Sequence, residues 1–364
     1  MSQSSWLTVI VPGIGTQLAQ AAQAQSVRWP QLARLAGRGS VRQEWDRRDP
    51  NAALRPWQRG LLAALGLPAA QFPSAAVSAM GNFDALAGGF WLHAEPVHFV
   101  AGLDRLSFLP LHDEARVSDA ERAALEPVLA EHLAASGFSF HSGAGEWLVR
   151  CDRVLAVHTA CPEAAAANEL ECVMPHGPDG GEVRRLMTEL QMLLHDHPVN
   201  EARARRGLPA INAVWLWGSG VAVSATQAST SASTSPAAQV LAVSVATQTL
   251  PVAFGEESYL RGIYQLHGRS VRSLPRQCGA LLTNLAQVER AVVVVKVADV
   301  DSLEEQWVAP LTRALTTGAL RRLDLVLDDL HCDVSRSALR RFWRRALPLS
   351  QWPLGERASA EKLS

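Results

Sequence analysis

Leu7-Thr8-Val9-Ile10-Val11-Pro12-Gly13 places five residues that are apolar or β-branched directly before a Pro-Gly turn signal. So short a run, with no alternation of polar residues, reads as a strand buried on both faces and central in a sheet. Residues 240–245, 291–297 and 323–327 repeat the pattern further along the chain, with helical periodicity between them. Buried strands alternating with helices predict an α/β fold, a doubly wound and mostly parallel sheet. Helical patterns fall at residues 29–35 and 57–65, the second stopped by Gly66 and Pro68. Leu186, Leu190, Leu193 and Leu194 share one face of a later helix that Pro198 limits. Ser302 and Glu305 are spaced as a capping box ahead of Leu303, Trp307, Leu311 and Leu315, which keep helical spacing despite Pro310.

Between residues 90 and 157 the signal changes to short strands, at 90–93, 97–100, 106–109, 138–140, 147–149 and 154–157. One helix interrupts them, with Ser118 and Glu121 as capping box, Leu125, Val128, Leu129 and Leu133 as apolar stripe, and Gly137 as stop. The expected organisation is a discontinuous α/β core at 1–89 and 176–350 with a small inserted antiparallel α+β module at 90–175. Residues 222–238, mostly Ser, Thr and Ala, bury too little apolar surface to be ordered and are expected to form a mobile loop; residues 351–364 form a tail.

Composition excludes several function classes. A formal net charge of -1 gives no long-range field for recruiting nucleic acid. No window approaches the ~18 apolar residues of a membrane span, so no membrane partner is expected. The N-terminus lacks a basic segment ahead of its apolar run, which argues against a signal peptide. Five cysteines, an odd number with no Cys-x-x-Cys pair, argue against a disulfide framework and a zinc knuckle and fit a reducing cytoplasm. Eleven Trp against two Tyr is the compositional oddity, and core packing accounts for most of the indoles.

Four constellations could carry chemistry. His195-Asp196-His197-Pro198-Val199-Asn200 is the densest polar cluster, at a helix end where a cationic imidazole meets the dipole or a ligand could be touched. Gly218-Ser219-Gly220 follows the strand-like Ala213-Val214-Trp215-Leu216-Trp217 and could admit an anion to backbone N–H groups, but neither Rossmann spacing nor a Walker lysine follows. Asp299 and Asp301 follow one predicted parallel strand; Asp328, Asp329 and His331 follow another, the raw material of a metal site or simply of solvated loops. Arg336, Arg340, Arg341, Arg344 and Arg345 surround Leu339, Phe342 and Trp343 in what reads as a late amphipathic helix, a solvated basic face or a protein-docking one.

The stretch from Leu194 to Arg203, His195-Asp196-His197-Pro198-Val199-Asn200 included, followed by Gly207-Leu208-Pro209-Ala210-Ile211-Asn212-Ala213-Val214-Trp215-Leu216-Trp217-Gly218-Ser219-Gly220, is similar to a segment of archaeal-type cofactor-independent phosphoglycerate mutases. There too a His-Pro-x-Asn helix end leads through a Pro-x-Asn strand to a Gly-x-Gly turn. The whole chain also resembles the bacterial Rpf-type regulatory proteins, phosphoglycerate mutase-like, whose aromatic-Trp-Leu…Asp-Pro-Val-His signature appears as Phe90-Trp91-Leu92-His93-Ala94-Glu95-Pro96-Val97-His98, with Glu95 in place of Asp. The resemblance implies an alkaline-phosphatase-like α/β fold, two divalent metals and a Ser or Thr nucleophile. Here, however, Val11-Pro12-Gly13-Ile14-Gly15 lacks the first-strand carboxylate. The Asp-Glu-x-x-His motif is matched at best by Asp299-Val300-Asp301-Ser302-Leu303, and the Asp-His pair at best by Asp329-Leu330-His331. Ser40 is the nearest nucleophile by position. Losing several ligands removes the clamp of a two-metal site, whose ions stand ~4 Å apart.

The expectation is therefore a catalytically degenerate phosphoglycerate mutase-like protein of a bacterial cytoplasm, regulatory by resemblance. No cofactor is expected, and the partner is a protein or a small anionic ligand near His195, His197, Asn200, Asn212, Gly218, Ser219 and Gly220. The alternative is an active phosphomutase or phosphohydrolase holding Mn²⁺ or Zn²⁺ on Asp299, Asp301, Asp328, Asp329 and His331.

Overall fold

The computed structural model describes residues 5–23, 29–46, 49–83, 89–102, 106–112, 115–221, 249–285 and 287–354. Its strands are β1 (Ser5–Val11), β2 (Ser40–Gln43), β3 (Phe90–Ala101), β4 (Leu106–Pro110), β5 (Ser139–Gly143), β6 (Glu146–Cys151), β7 (Ala213–Gly220), β8 (Val252–Phe254), β9 (Arg290–Val294), β10 (Leu320–Leu327) and β11 (Leu330–Ser335). They form two sheets.

The first sheet runs β2-β11-β10-β1-β9-β8. β8, β9, β1 and β10 are parallel, while β11 and β2 add an antiparallel edge. β1 lies centrally, as its unbroken apolar run predicts. Leu7, Val9 and Val11 pack with Leu18, Leu32, Leu35, Leu311 and Leu315 from helices Gly15–Gln23, Pro30–Arg38 and Ala309–Thr317. Ile10 points the other way, with Val292, Val294 and Val326, towards helices Pro56–Leu65, Ser74–Asn82 and Ser258–Leu266. Helices thus cover both faces, which is the doubly wound arrangement. Two of these helices cross almost backbone to backbone: a Cβ on Gly262 would stand 1.8 Å from the Val77 carbonyl oxygen, so only glycine permits the approach.

The second sheet is antiparallel and built around the twelve-residue β3, which pairs with β7 along 91–97, with β6 at 90–93 and with β4 at 97–101, while β5 flanks β6. The segments expected as two strands, 90–93 and 97–100, are one. Pro96 falls in the gap between the β6 and β4 pairings, where one side of β3 is open and a missing N–H is tolerated. Leu92 and Ala94 face a core shared with Leu125, Leu129 and Leu133 of helix Asp119–Ala135 and with Val183, Leu186 and Leu190 of helix Gly180–His195. The Ser118–Glu121 capping box is present as predicted.

Several expectations change. β7 and helix Gly180–His195, expected in the parallel core, belong with the antiparallel sheet, because a strand apolar on both faces reads the same whichever partner it has. Residues 154–157 form no strand. Ser302 is not an N-cap: the helix begins one turn earlier, and Asp299 accepts from the Ser302 N–H. Pro310 is accommodated by a π turn, Glu304–Val308, ahead of Ala309–Thr317. The arginine-rich helix stops after one turn, Arg336–Leu339. Ser40 lies on the edge strand β2, opposite Asp333. β2, β8 and β11 were not foreseen. The predicted strand at 240–245, the loop at 222–238 and most of the tail lie outside the described residues. No helix is long and apolar enough to cross a membrane among the described residues.

Candidate functional site

The metal candidates follow the parallel strands β9 and β10 in the chain, and each is already engaged. Asp328 and Asp329 form the two-residue hairpin turn between β10 and β11. Asp328 takes the positive φ, +55°, that such a turn asks of its first central residue, where glycine is usual. The carboxylate explains the choice: its two oxygens accept from the Gly13 and Gly15 N–H groups at 2.8 and 2.6 Å, closing the turn after β1. Burial pushes its pKa up to about 6 against those two donors, with Glu163 and Asp329 adding to the rise. Asp329 is buried and accepts from Gln43 Nε2 at 2.9 Å. The His331 Nδ1 is held against Arg42 Nη2 and Glu44. Asp299 caps its helix, and Asp301 accepts from Trp29 Nε1 at 2.7 Å. Among the described residues no group of three or more His, Cys, Asp or Glu is placed to hold a metal ion. The residues present therefore do not fit a two-metal site.

The ligand candidates around the 194–212 segment are mostly ties of the fold. Asn200 donates to the carbonyls of Leu194 and Ile211 at 2.8 and 3.0 Å and accepts from the Ile211 N–H at 2.7 Å, clamping the helix end to the start of β7. Asn212 pairs with both backbone groups of Phe99, as a strand residue would. His197 is an N-cap, its Nδ1 accepting from the Val199 N–H, and His195 is exposed beside Asp196. Gly218 has a different place: with φ +68° it passes so close to helix Ser74–Asn82 and to the neighbouring β3 that a Cβ would stand 2.9 Å from Ser74 Cβ and 3.0 Å from His93 Cδ2. Ser219 instead turns back to Thr159 and Val157, and Gly220 abuts Pro73.

That glycine marks a buried polar network which sequence reading did not nominate. β3 turns Trp91 towards the parallel unit and Leu92 and Ala94 into its own core, so the alternation puts His93 and Glu95 on the Trp91 side. The His93 ring stacks on Trp217, centroids 4.3 Å apart. Burial, and then the Arg55 charge, push its pKa down to about 3. The Nε2 of the neutral imidazole stands 2.9 Å from the Ser74 hydroxyl, and that hydroxyl accepts from Gln58 Nε2 at 2.7 Å. Arg55, at the start of helix Pro56–Leu65, reaches Glu163 at 2.5 Å and Glu95, and lies 4.8 Å over the Trp217 ring. Burial works against its charge, but Glu163 and Glu95 raise its pKa overall. The arginine thus bridges the two sheets. Neighbouring Cys161 is a free thiol whose pKa burial and Glu163 push up, which leaves it a poor nucleophile. The sequence signal for all this was faint: two polar residues at i and i+2 in an otherwise apolar strand.

Beside Asp328 opens a cavity of about 240 Å³ between helix Pro56–Leu65 and the β10–β11 turn. Asp328, Asp329, His331 and Glu44 line it together with the exposed Arg59 and with Trp45. Trp45 is 4% exposed, and its indole N–H has no hydrogen-bond partner among the described residues. An unmet buried donor and a guanidinium suit the acceptor end of a small ligand, and the carboxylates across the cavity suit its hydroxyls.

No protein-family model matches the chain. Its sequence is similar to that of the 2,3-bisphosphoglycerate-independent phosphoglycerate mutase of Methanosarcina mazei, with 26% identity over 155 residues, 41% of this chain and 39% of that protein. The enzyme of the same name from Methanothrix thermoacetophila is 41% identical over 51 residues, 14% of this chain and 13% of that protein. Among solved structures, the cofactor-independent phosphoglycerate mutase of Thermoplasma acidophilum superposes over 97% of this chain and 96% of that one, at 13% identity and a TM-score of 0.41. The matched stretches thus span well under half of the two curated relatives. On the sequence matches, the chain is a distant homologue of the cofactor-independent phosphoglycerate mutases.

Proposed function

We propose that this protein is a phosphoglycerate mutase-like protein that has exchanged two-metal phosphoryl transfer for binding: it takes a small anionic ligand into the cavity at the end of β10 and acts in regulation or interaction. The observation that carries the reading is Asp328. Both of its oxygens are committed to the Gly13 and Gly15 amides, so the carboxylate fastens the turn after β1. Arg59 and Trp45 supply the donors for the ligand's acceptor group.

Isothermal titration with 3-phosphoglycerate, without added metal, tests the proposal. Binding is expected, with about a tenfold loss of affinity in Arg59→Ala, the size of one charged contact. Saturation by Mn²⁺ or Zn²⁺ with mutase or phosphatase turnover would contradict it. One observation favours the alternative of an active metal enzyme: Asp328, Asp329 and His331 do line the same cavity. Asp299 and Asp301 do not line it, so the alternative has to rest on three residues, each of which would first release its present partner.

A further inference from the structure

Phe342 and Trp343 were expected on the apolar stripe of a helix, and instead they are 81% and 68% exposed. They are consecutive residues at the tip of a short arm, their rings meeting edge to face with centroids 5.3 Å apart at 82°. Arg340, Arg341, Arg344 and Arg345 surround them, all exposed, and none of the four has an ion-pair partner among the described residues. The arm is anchored at both ends. Leu339 is buried before it; after it the Leu347 N–H donates to Ala33 at 2.9 Å, and Leu349 and Trp352 enter the core of the parallel sheet. Its tip is folded by turns, Phe342 N–H to Arg340 and Arg344 N–H to Arg341. Two large apolar rings and four unpaired guanidiniums are therefore held out in water by a segment that the fold fixes at both ends.

We propose that this arm docks on a bilayer surface carrying acidic lipid headgroups, the aromatic rings entering the interface and the arginines meeting the headgroups. A lipid interface accepts Trp and Phe rings in any orientation, and acidic headgroups give the exposed arginines around them their partners. The chain's formal net charge is -1, so the arm's positive charge is a local feature set against a near-neutral chain. The expectation that no membrane is involved rested on span length, which has no bearing on peripheral docking.

The test is co-sedimentation of the full chain with vesicles of phosphatidylcholine containing about one-third phosphatidylglycerol, against vesicles of phosphatidylcholine alone. Binding is expected to the acidic vesicles only, and to weaken steeply as salt is raised. The lipid concentration for half-binding is expected to rise about 25-fold in Arg341→Gln/Arg344→Gln, roughly fivefold per arginine, and at least about tenfold in Phe342→Ala/Trp343→Ala. Equal sedimentation with both vesicles, or variants that bind as the parent does, would overturn the proposal. So would tighter binding of single-stranded oligo-dT, or of a polyglutamate peptide, than of the acidic vesicles. Because the wild-type salt and lipid dependence is read first, a variant that failed to fold would not shelter the idea.

Discussion

The two sheets secure their buried polar groups by different means. At the carboxyl edge of the parallel sheet Asp328 is held by backbone, its two oxygens on two glycine amides. At the seam with the antiparallel sheet, side chains satisfy one another in a chain from Gln58 through Ser74 to His93, with Arg55 between Glu95 and Glu163 beside it. The first arrangement locks a carboxylate in a single place and leaves it little freedom to take on a new partner. The second depends on every member keeping its protonation state, so one proton can disturb the whole. A residue's presence at the carboxyl end of a parallel strand is thus a weak guide to catalysis when backbone amides already claim it.

The contrast is sharpest in its pH dependence. His93 is held neutral, with a pKa pushed to about 3 in the folded chain against about 6.5 when free. The unfolded chain therefore binds the extra proton first, and stability is lost as pH falls from about 6.5 towards about 3. The gap corresponds to a contribution of about 5 kcal/mol. Urea unfolding followed across that range is expected to show the loss in the wild type and a much flatter profile in His93→Phe. Equal slopes in the two proteins would remove the buried network from the account.

Asp328 has the opposite sign. Its folded pKa of about 6 lies above the ordinary carboxylate value, so the folded chain holds the proton longer and stability falls as pH rises from about 4 to about 6. Discounted for partial exposure, the effect is about 2 kcal/mol. Comparing Asp328→Asn with the wild type at the two ends of that window isolates it: the variant is expected to gain relative stability as pH rises. A change of similar size belongs to the antiparallel unit. Asn200→Ala leaves the Ile211 amide and two carbonyls without their partner and is expected to cost about 2 kcal/mol in the same assay, with ligand affinity unchanged. A loss of 3-phosphoglycerate binding without loss of stability would return Asn200 to the list of ligand contacts.

Much of the fold was legible because its signals are local. β1 and β9 show as runs of apolar and β-branched residues and β10 as one broken by Asp324, and Ser118 with Glu121 announces its helix three residues apart. The partner of β7 was not legible, since Ala213 to Trp217 is apolar on both faces and carries no mark of direction. The antiparallel strands β2 and β11 carry polar residues such as Arg42, His331 and Asp333, and read as loop. At the site, Asp328, Asp329 and His331 were visible from their place after a strand, and Gly218 from the small residues around it. What they do was not visible, because the partners of Asp328 lie more than 300 positions away in sequence. Arg55, Ser74, His93 and Glu163 come from four separate elements, and only the fold brings them together.

The most direct test of the central claim is metal content together with turnover. The purified full chain, dialysed against Mn²⁺ and Zn²⁺ and analysed by elemental mass spectrometry, is expected to retain no stoichiometric metal and to leave 3-phosphoglycerate unconverted while still binding it. Two metal ions per chain with conversion of 3-phosphoglycerate would contradict the account, because Asp328 would then have to leave Gly13 and Gly15 to become a ligand.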